Sequence, residues 1–188
     1  GDMSANVTTF PCWGVELSSP VEDVLKLAAK FVEARPDECW VLLGEHTAVS
    51  DRQLWTAWIV LGSNHRNGTM RSNGLDGEFI RLLAGTHQVK VGFQRAGIAQ
   101  GDNACWLVHL PKWAEETGEA PTHAYPDLDQ VELADTANRL MNVLKGNLRT
   151  HRPHPSENTI ERLCLDTTAD DWVSIERASL AHLALADL

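Results

Sequence analysis

The four cysteines, Cys12, Cys39, Cys105 and Cys164, lie far apart and form no CxxC pair. That spacing gives neither a thioredoxin-like redox motif nor a zinc ribbon. Each has apolar sequence neighbours, where a reduced structural thiol is expected, as in a cytosolic protein. Long hydrophobic runs are also missing, and nothing approaches the ~18 residues that a membrane span requires. No signal-peptide pattern opens the sequence, and Gly1-Asp2 before Met3 reads as an expression scar. HExxH, GxSxG, a P-loop and a dinucleotide fingerprint are absent too, so no metalloprotease, α/β-hydrolase or nucleotide-binding signature is present. There is no internal repeat and no low-complexity segment.

What remains is an ordinary globular composition. The 188 residues are 43% hydrophobic and 22% charged, enough to bury a core within one domain spanning 1–188. The net charge of −10 argues against general attraction to nucleic acid or anionic membranes. The charge is uneven, however. Between His65 and Arg95 the chain carries Arg66, Arg71, Arg81, Lys90 and Arg95 against Asp76 and Glu78, a local +3 within a remainder of −13.

Residues 8–17, "TTFPCWGVEL", read as a strand, with Pro11 confining it to a sheet edge or to its first residues. A helix follows from Ser19 as N-cap and Pro20 at its first position, with Val21, Leu25, Ala28 and Val32 at helical spacing and Pro36 as its end. Residues 38–49, "ECWVLLGEHTAV", read as an inner strand. Ser50 or Asp51 caps the next helix, which buries Leu54, Trp58 and Leu61 with Trp55 and Ile59, and "SNHRNG" ends it. Asn73 caps a third helix with Leu75, Phe79, Leu82 and Leu83 inward, stopped by Gly85. "THQVKVGFQRAG" forms a fourth, with Val89, Phe93 and Ala96 inward. "NACWLVHLP" is a strand, residues 112–126 a loop, residues 127–145 an amphipathic helix and "GNLRTHRPHPSEN" a Pro-rich connection. Two apolar stretches, 159–165 and 170–188, complete the pattern. The sum is a mixed α/β (α+β) fold with a small sheet and several helices packed on it.

Candidate sites are few. His151 and His154 sit three apart in "THRPHP" without further ligands at a zinc spacing, so no metal and no cofactor is expected. "HTAVSD" brings His, Ser and Asp close, but the Ser-Asp pair is explained by helix capping. A small enzyme using His109, Asp102 and the His-rich loop is the alternative from another class. The basic stretch points elsewhere. Arg66, Asn67 and Arg71 in a polar turn, with His87, Lys90 and Arg95 on the outer side of the fourth helix, suit a phosphate backbone and exposed base edges. The same residues also suit a plain solvated helix face, and no aromatic is placed among them as a stacking platform. The tail, "IERASLAHLALADL", is apolar almost all round if helical, which implies burial on more than one side. Ile175, Ala178, Leu180, Leu183 and Leu185 are then partner-binding candidates. A buried strand, or a homodimer built on this tail, is the competing reading.

From Ser50 onward the order of motifs resembles the PRPK-binding-protein family, the small regulatory subunit of the KEOPS complex. "SDRQLWTA" opens the pattern, followed by "HRNGTMRSNGL", "GEFIRLLAG" with Glu78 where the family usually has glutamate, and "HQVKVGFQRAGI" with Gln88, Val89, Gly97 and Ile98. "IERASLAHLAL" resembles the closing segment. The likeness extends over residues 38–188. The chain departs from the family pattern in having His87 for a basic residue and Gly92-Phe93 for a small-Leu pair, and in its seven tryptophans. The resemblance implies a cytoplasmic protein without catalysis of its own. It would bind and stimulate a PRPK-like kinase/ATPase subunit and help hold the 3′ end of transfer RNA while threonylcarbamoyl is added beside the anticodon.

Overall fold

The computed structural model describes residues 8–113 and 127–188. Residues 1–2, read from the sequence as an expression scar, and most of the 112–126 loop lie outside them. In chain order the elements are β1 (Cys12–Leu17), α1 (Val24–Ala34), β2 (Trp40–Gly44), α2 (Asp51–Asn67), α3 (Leu75–Ala84), α4 (Val89–Ala96), β3 (Ala104–His109), α5 (Asp127–Val143), β4 (Gly146–Arg149), α6 (Glu157–Leu163) and α7 (Trp172–Leu185). The fold is α+β.

The strands form one antiparallel sheet in the order β2-β3-β1-β4. Side chains alternate between its faces with period two. Cys12, Val41, Leu43, Trp106 and Val108 pack with α2, α3, α6 and α7. Val15, Leu17, Trp40, Leu42, Cys105 and Leu107 pack with α1 and α5. The sheet is therefore the middle of three layers, which explains why "CWVLLG" and "ACWLVH" are apolar at nearly every position.

Several sequence expectations change. β2 is an edge strand, not an inner one; coverage of both faces gives an edge strand the composition of a central one. β1 is central, and Pro11 precedes it. The first helix starts later than Ser19, because Asp23 caps it by accepting the Lys26 N–H at 3.0 Å. The preceding amides are taken by tertiary partners: Leu17, Ser18 and Val21 donate to Asn103, Lys145 and Asp102 carbonyls. With that start the buried face centres on Phe31, leaving Leu25 and Val32 82% and 52% exposed. α2 runs through "SNHRN" to Gly68, so Arg66 and Asn67 belong to its last turn. Ile59 is exposed. Gly74, not Asn73, is the N-cap of α3. The Pro-rich connection contains the edge strand β4, whose exposed Leu148 gives it no apolar alternation to read. The tail is a helix, α7, capped by Asp171 through the Ser174 N–H.

Cys12 and Cys105 are buried, Cys39 is half-buried and Cys164 is exposed, all as free thiols. Burial pushes the Cys105 thiol up to about 12 and Cys39 to about 11, with Asp37 adding to the latter. These thiols are poor nucleophiles.

Candidate nucleic-acid and partner interfaces

Helix α3 organises the basic region. Gly77 to Ala84 are all buried, including two charged side chains, Glu78 and Arg81, each 0% exposed. An Arg fork can donate five hydrogen bonds, and here all five are used. Nε and Nη2 donate to the two Glu78 carboxylate oxygens at 3.0 and 2.5 Å, and Nη2 also reaches Asp187 Oδ1 at 2.8 Å. Nη1 donates to the Thr86 and Ala186 carbonyls at 3.0 and 2.8 Å. Glu78 in turn accepts from the backbone N–H groups of Arg71 and Ser72 and from Asn64 Nδ2. One ionic pin thus ties α2, the α2–α3 turn, α3, the α3–α4 link and the residues after α7. Burial alone would raise the Glu78 carboxyl, but the hydrogen bonds from Arg81 and Asn64 prevail and hold it below its ordinary value. Asp187 is lowered against burial in the same way, by Asn64 and Arg81.

α4 packs on α3 with contacts advancing in the same direction along both. Val89 lies over Gly77, Gly92 over Arg81, and Arg95 Nη1 donates to the Ala84 carbonyl at 3.3 Å. A Cβ on Gly92 would sit 2.9 Å from Arg81 Cα. The glycine that departs from the family pattern is therefore what allows this approach. Gly85 closes α3 at φ 65°, under the ring of His182, whose Nε2 donates to the Ala84 carbonyl at 2.8 Å.

The six predicted RNA-binding residues separate into two groups. Arg66, Asn67, Arg71, His87 and Lys90 are exposed. Ser72 and Val89 both abut Gly77, so the turn carrying Arg71 and the start of α4 carrying Lys90 meet over the first half of α3. Arg95 stands apart at the far end of α4, half-buried and committed to Ala84. Phe93 corrects the sequence reading. It is 43% exposed, not part of the core arc, because Gly92 and Ala96 take the inward positions. It stands one helical turn from Lys90, so an aromatic does accompany the cations. The i+3 spacing from Lys90 was the available signal.

The tail also divides. Ile175 and Leu183, at 1% and 3% exposure, belong to the main core and are not interface residues. α7 buries one stripe, Ile175, Ser179, His182 and Leu183, and that stripe needs this domain alone. Ala178 is half-buried against the same core. Leu180 is half-buried and Leu185 is 49% exposed. Trp172, Val173 and Leu188, not foreseen as contact residues, are exposed as well.

The residues of the enzymatic alternative do not converge. Asp102 is clasped by Arg162 Nη1 at 2.8 Å and also accepts the Ala99 N–H. His109 packs on Trp40 on β2, where burial drives its pKa down to about 4 against the pull of Asp37. His151 and His154 have ring centroids 5.0 Å apart. Among the described residues no group of three or more His, Cys, Asp or Glu side chains is arranged to hold a metal, and no helix is long and apolar enough to cross a membrane. In comparisons with known proteins, no family model matches this chain and no curated sequence matches it significantly.

Proposed function

We propose that this chain is a non-catalytic regulatory subunit of a KEOPS-type complex. It binds and stimulates the kinase-like ATPase subunit and helps hold the 3′ end of transfer RNA during threonylcarbamoyladenosine modification. The supporting observation is the exposed set Arg71, His87, Lys90 and Phe93 on a helix pair whose interior is pinned by Glu78, Arg81 and Asp187. Cations neutralise the phosphates of a single strand, and the aromatic ring offers a face to an unstacked base. The resemblance of "GEFIRLLAG" and "HQVKVGFQRAGI" to the family names the RNA and the assembly. The acidic remainder keeps binding local.

Replacing Arg71 and Lys90 together by Ala is expected to weaken transfer-RNA binding and to lower the salt slope of log K by roughly 1.4. Phe93→Ala is expected to cost a further ~1–3 kcal/mol with little change in slope. Unchanged affinity and slope in a filter-binding titration would overturn the RNA assignment.

The outer face of α7, with Val173, Leu180 and Leu185, is the proposed seat of the kinase-like partner. Leu185→Asp should leave the domain folded and abolish co-purification with that partner, whereas Leu183→Asp should unfold it. Full co-purification of a folded Leu185→Asp protein removes α7 from the interface. A homodimeric module is the second reading, supported by the apolar groove of about 200 Å³ between α1 and α4 that contains Leu25, Val32 and Phe93. Light scattering of the isolated chain separates it from a monomer.

A further inference from the structure

On the sheet face that carries Trp106, the same face that α3 covers, a cavity of about 110 Å³ is lined by Glu45, His46, Trp106, Arg149, His154 and Ser156. At ~30 Å³ of liquid volume per water this is room for about four waters, far below the few hundred Å³ of a drug-sized ligand site. It fits a small ion. Three features mark it as built. His46 has φ 69°, a left-handed conformation unusual for a residue with a Cβ; such strain collects at functional sites. The strained turn is fixed from outside, by the Thr159 hydroxyl donating to the His46 carbonyl at 2.8 Å and by Glu45 Oε1 accepting the Asn103 N–H at 2.9 Å. Finally, Arg149 carries a guanidinium with neither an ion-pair nor a hydrogen-bond partner among the described residues, within a chain of net charge −10.

The wall mixes donors with acceptors. Arg149 can only donate. Ser156 Oγ lies 3.4 Å from His46 Nδ1, and His46 Nε2 is 3.8 Å from Glu45 Oε2. His154 Nδ1 donates to the Arg152 carbonyl at 3.2 Å, which leaves Nε2 as the acceptor of the neutral ring. Glu45 Oε2 is a second acceptor. A ligand matched to this wall is an oxyanion that also has a proton to donate. Inorganic phosphate retains a P–OH throughout the neutral range. Sulfate has none, and a phosphomonoester loses its second proton near pH 6.

We propose that this pocket binds inorganic phosphate, with Arg149 as the principal cation and Glu45 as acceptor for the phosphate proton. The pocket is independent of the RNA and partner assignments above. The test is isothermal titration of the full chain at pH 7.5 with inorganic phosphate, sulfate and glycerol phosphate. The expected result is saturable phosphate binding, with sulfate and glycerol phosphate each weaker by about 10-fold or more. Arg149→Ala retains the Cβ opposite Gly14 in the strand pairing, so the sheet is preserved, and circular dichroism melting checks that. It should weaken phosphate about 10-fold or more. Glu45→Gln keeps an oxygen for the Asn103 amide and should bring sulfate to within about 3-fold of phosphate. No saturable binding up to about 10 mM, a weaker bound than useful specific recognition implies, overturns the proposal. So does equal binding of sulfate and phosphate by the wild type, or unchanged phosphate affinity in folded Arg149→Ala.

Discussion

Arg71 and Arg81 touch the same carboxylate from opposite sides of the protein surface. Arg81 meets Glu78 with its side chain, fully buried. Arg71 meets it with its backbone N–H, and its own side chain is exposed. A count along the sequence gives the two residues equal weight in the +3 window, yet one charge is spent inside and the other faces water. The interior pin fixes where the outer cation stands. Buried ion pairs are weak arguments for stability, because desolvation offsets their attraction. They hold a geometry instead, and here the geometry is that of the turn bearing Arg71.

Truncating the two arginines gives the widest contrast. Arg81→Ala leaves Glu78 buried and uncompensated and should cost about 3–5 kcal/mol in urea denaturation. Arg71→Ala should change stability by less than about 0.5 kcal/mol. Similar losses for the two would end the distinction between inner and outer charge.

Acid sharpens the contrast next. His109 has its pKa lowered from 6.5 to about 4 by burial, so the unfolded chain binds the proton first. Its contribution is complete above pH 6.5 and is lost as pH falls toward about 4, by on the order of 2–3 kcal/mol. Glu78 and Asp187 sit below their ordinary values, so their share persists through that range and disappears only as pH falls below roughly 4. His109→Gln should flatten the upper step in a pH series of denaturation midpoints and leave the lower one. A single step unaffected by that substitution would show that His109 is not the group responsible.

The smallest effect tests the approach of α4. In an open helix Gly92→Ala would gain about 1 kcal/mol. Against Arg81 Cα the added methyl overpacks, at a cost of about 1–3 kcal/mol. The net expectation is a loss of about 1 kcal/mol in thermal or urea unfolding. A stabilised variant would mean that the two helices separate easily.

Much of this was readable in the sequence. Gly85 and Gly97 marked the ends of α3 and α4, Ser50 marked the start of α2, and the apolar runs around Trp40 and Leu107 gave two strands. Local signals were sufficient there. They failed where distant partners decided the outcome. Ser19 lost the cap of α1 because tertiary hydrogen bonds hold residues 17–21 to Asp102, Asn103 and Lys145. β4 has no apolar pattern because its stability comes from pairing with β1. Helical periodicity places Phe93 inward because it gives the width of an apolar arc, not which edge of it a neighbouring helix covers. Arg81 and Glu78 three apart in an apolar helix were a visible clue to a buried pair, but Asp187, at the far end of the sequence, was not.

The strand order has a consequence for how the chain reaches this state. β1 is flanked by β3 and β4, with Gly14 facing Trp106 on one side and Arg149 on the other. Synthesis delivers the middle of the sheet first and its neighbours much later. The earliest strand must wait unpaired, with its apolar side chains exposed, until most of the polypeptide has emerged. Assembly of the sheet should accordingly be the slow, chaperone-sensitive stage of folding, while sequence-local helix contacts such as those of α3 with α4 form early.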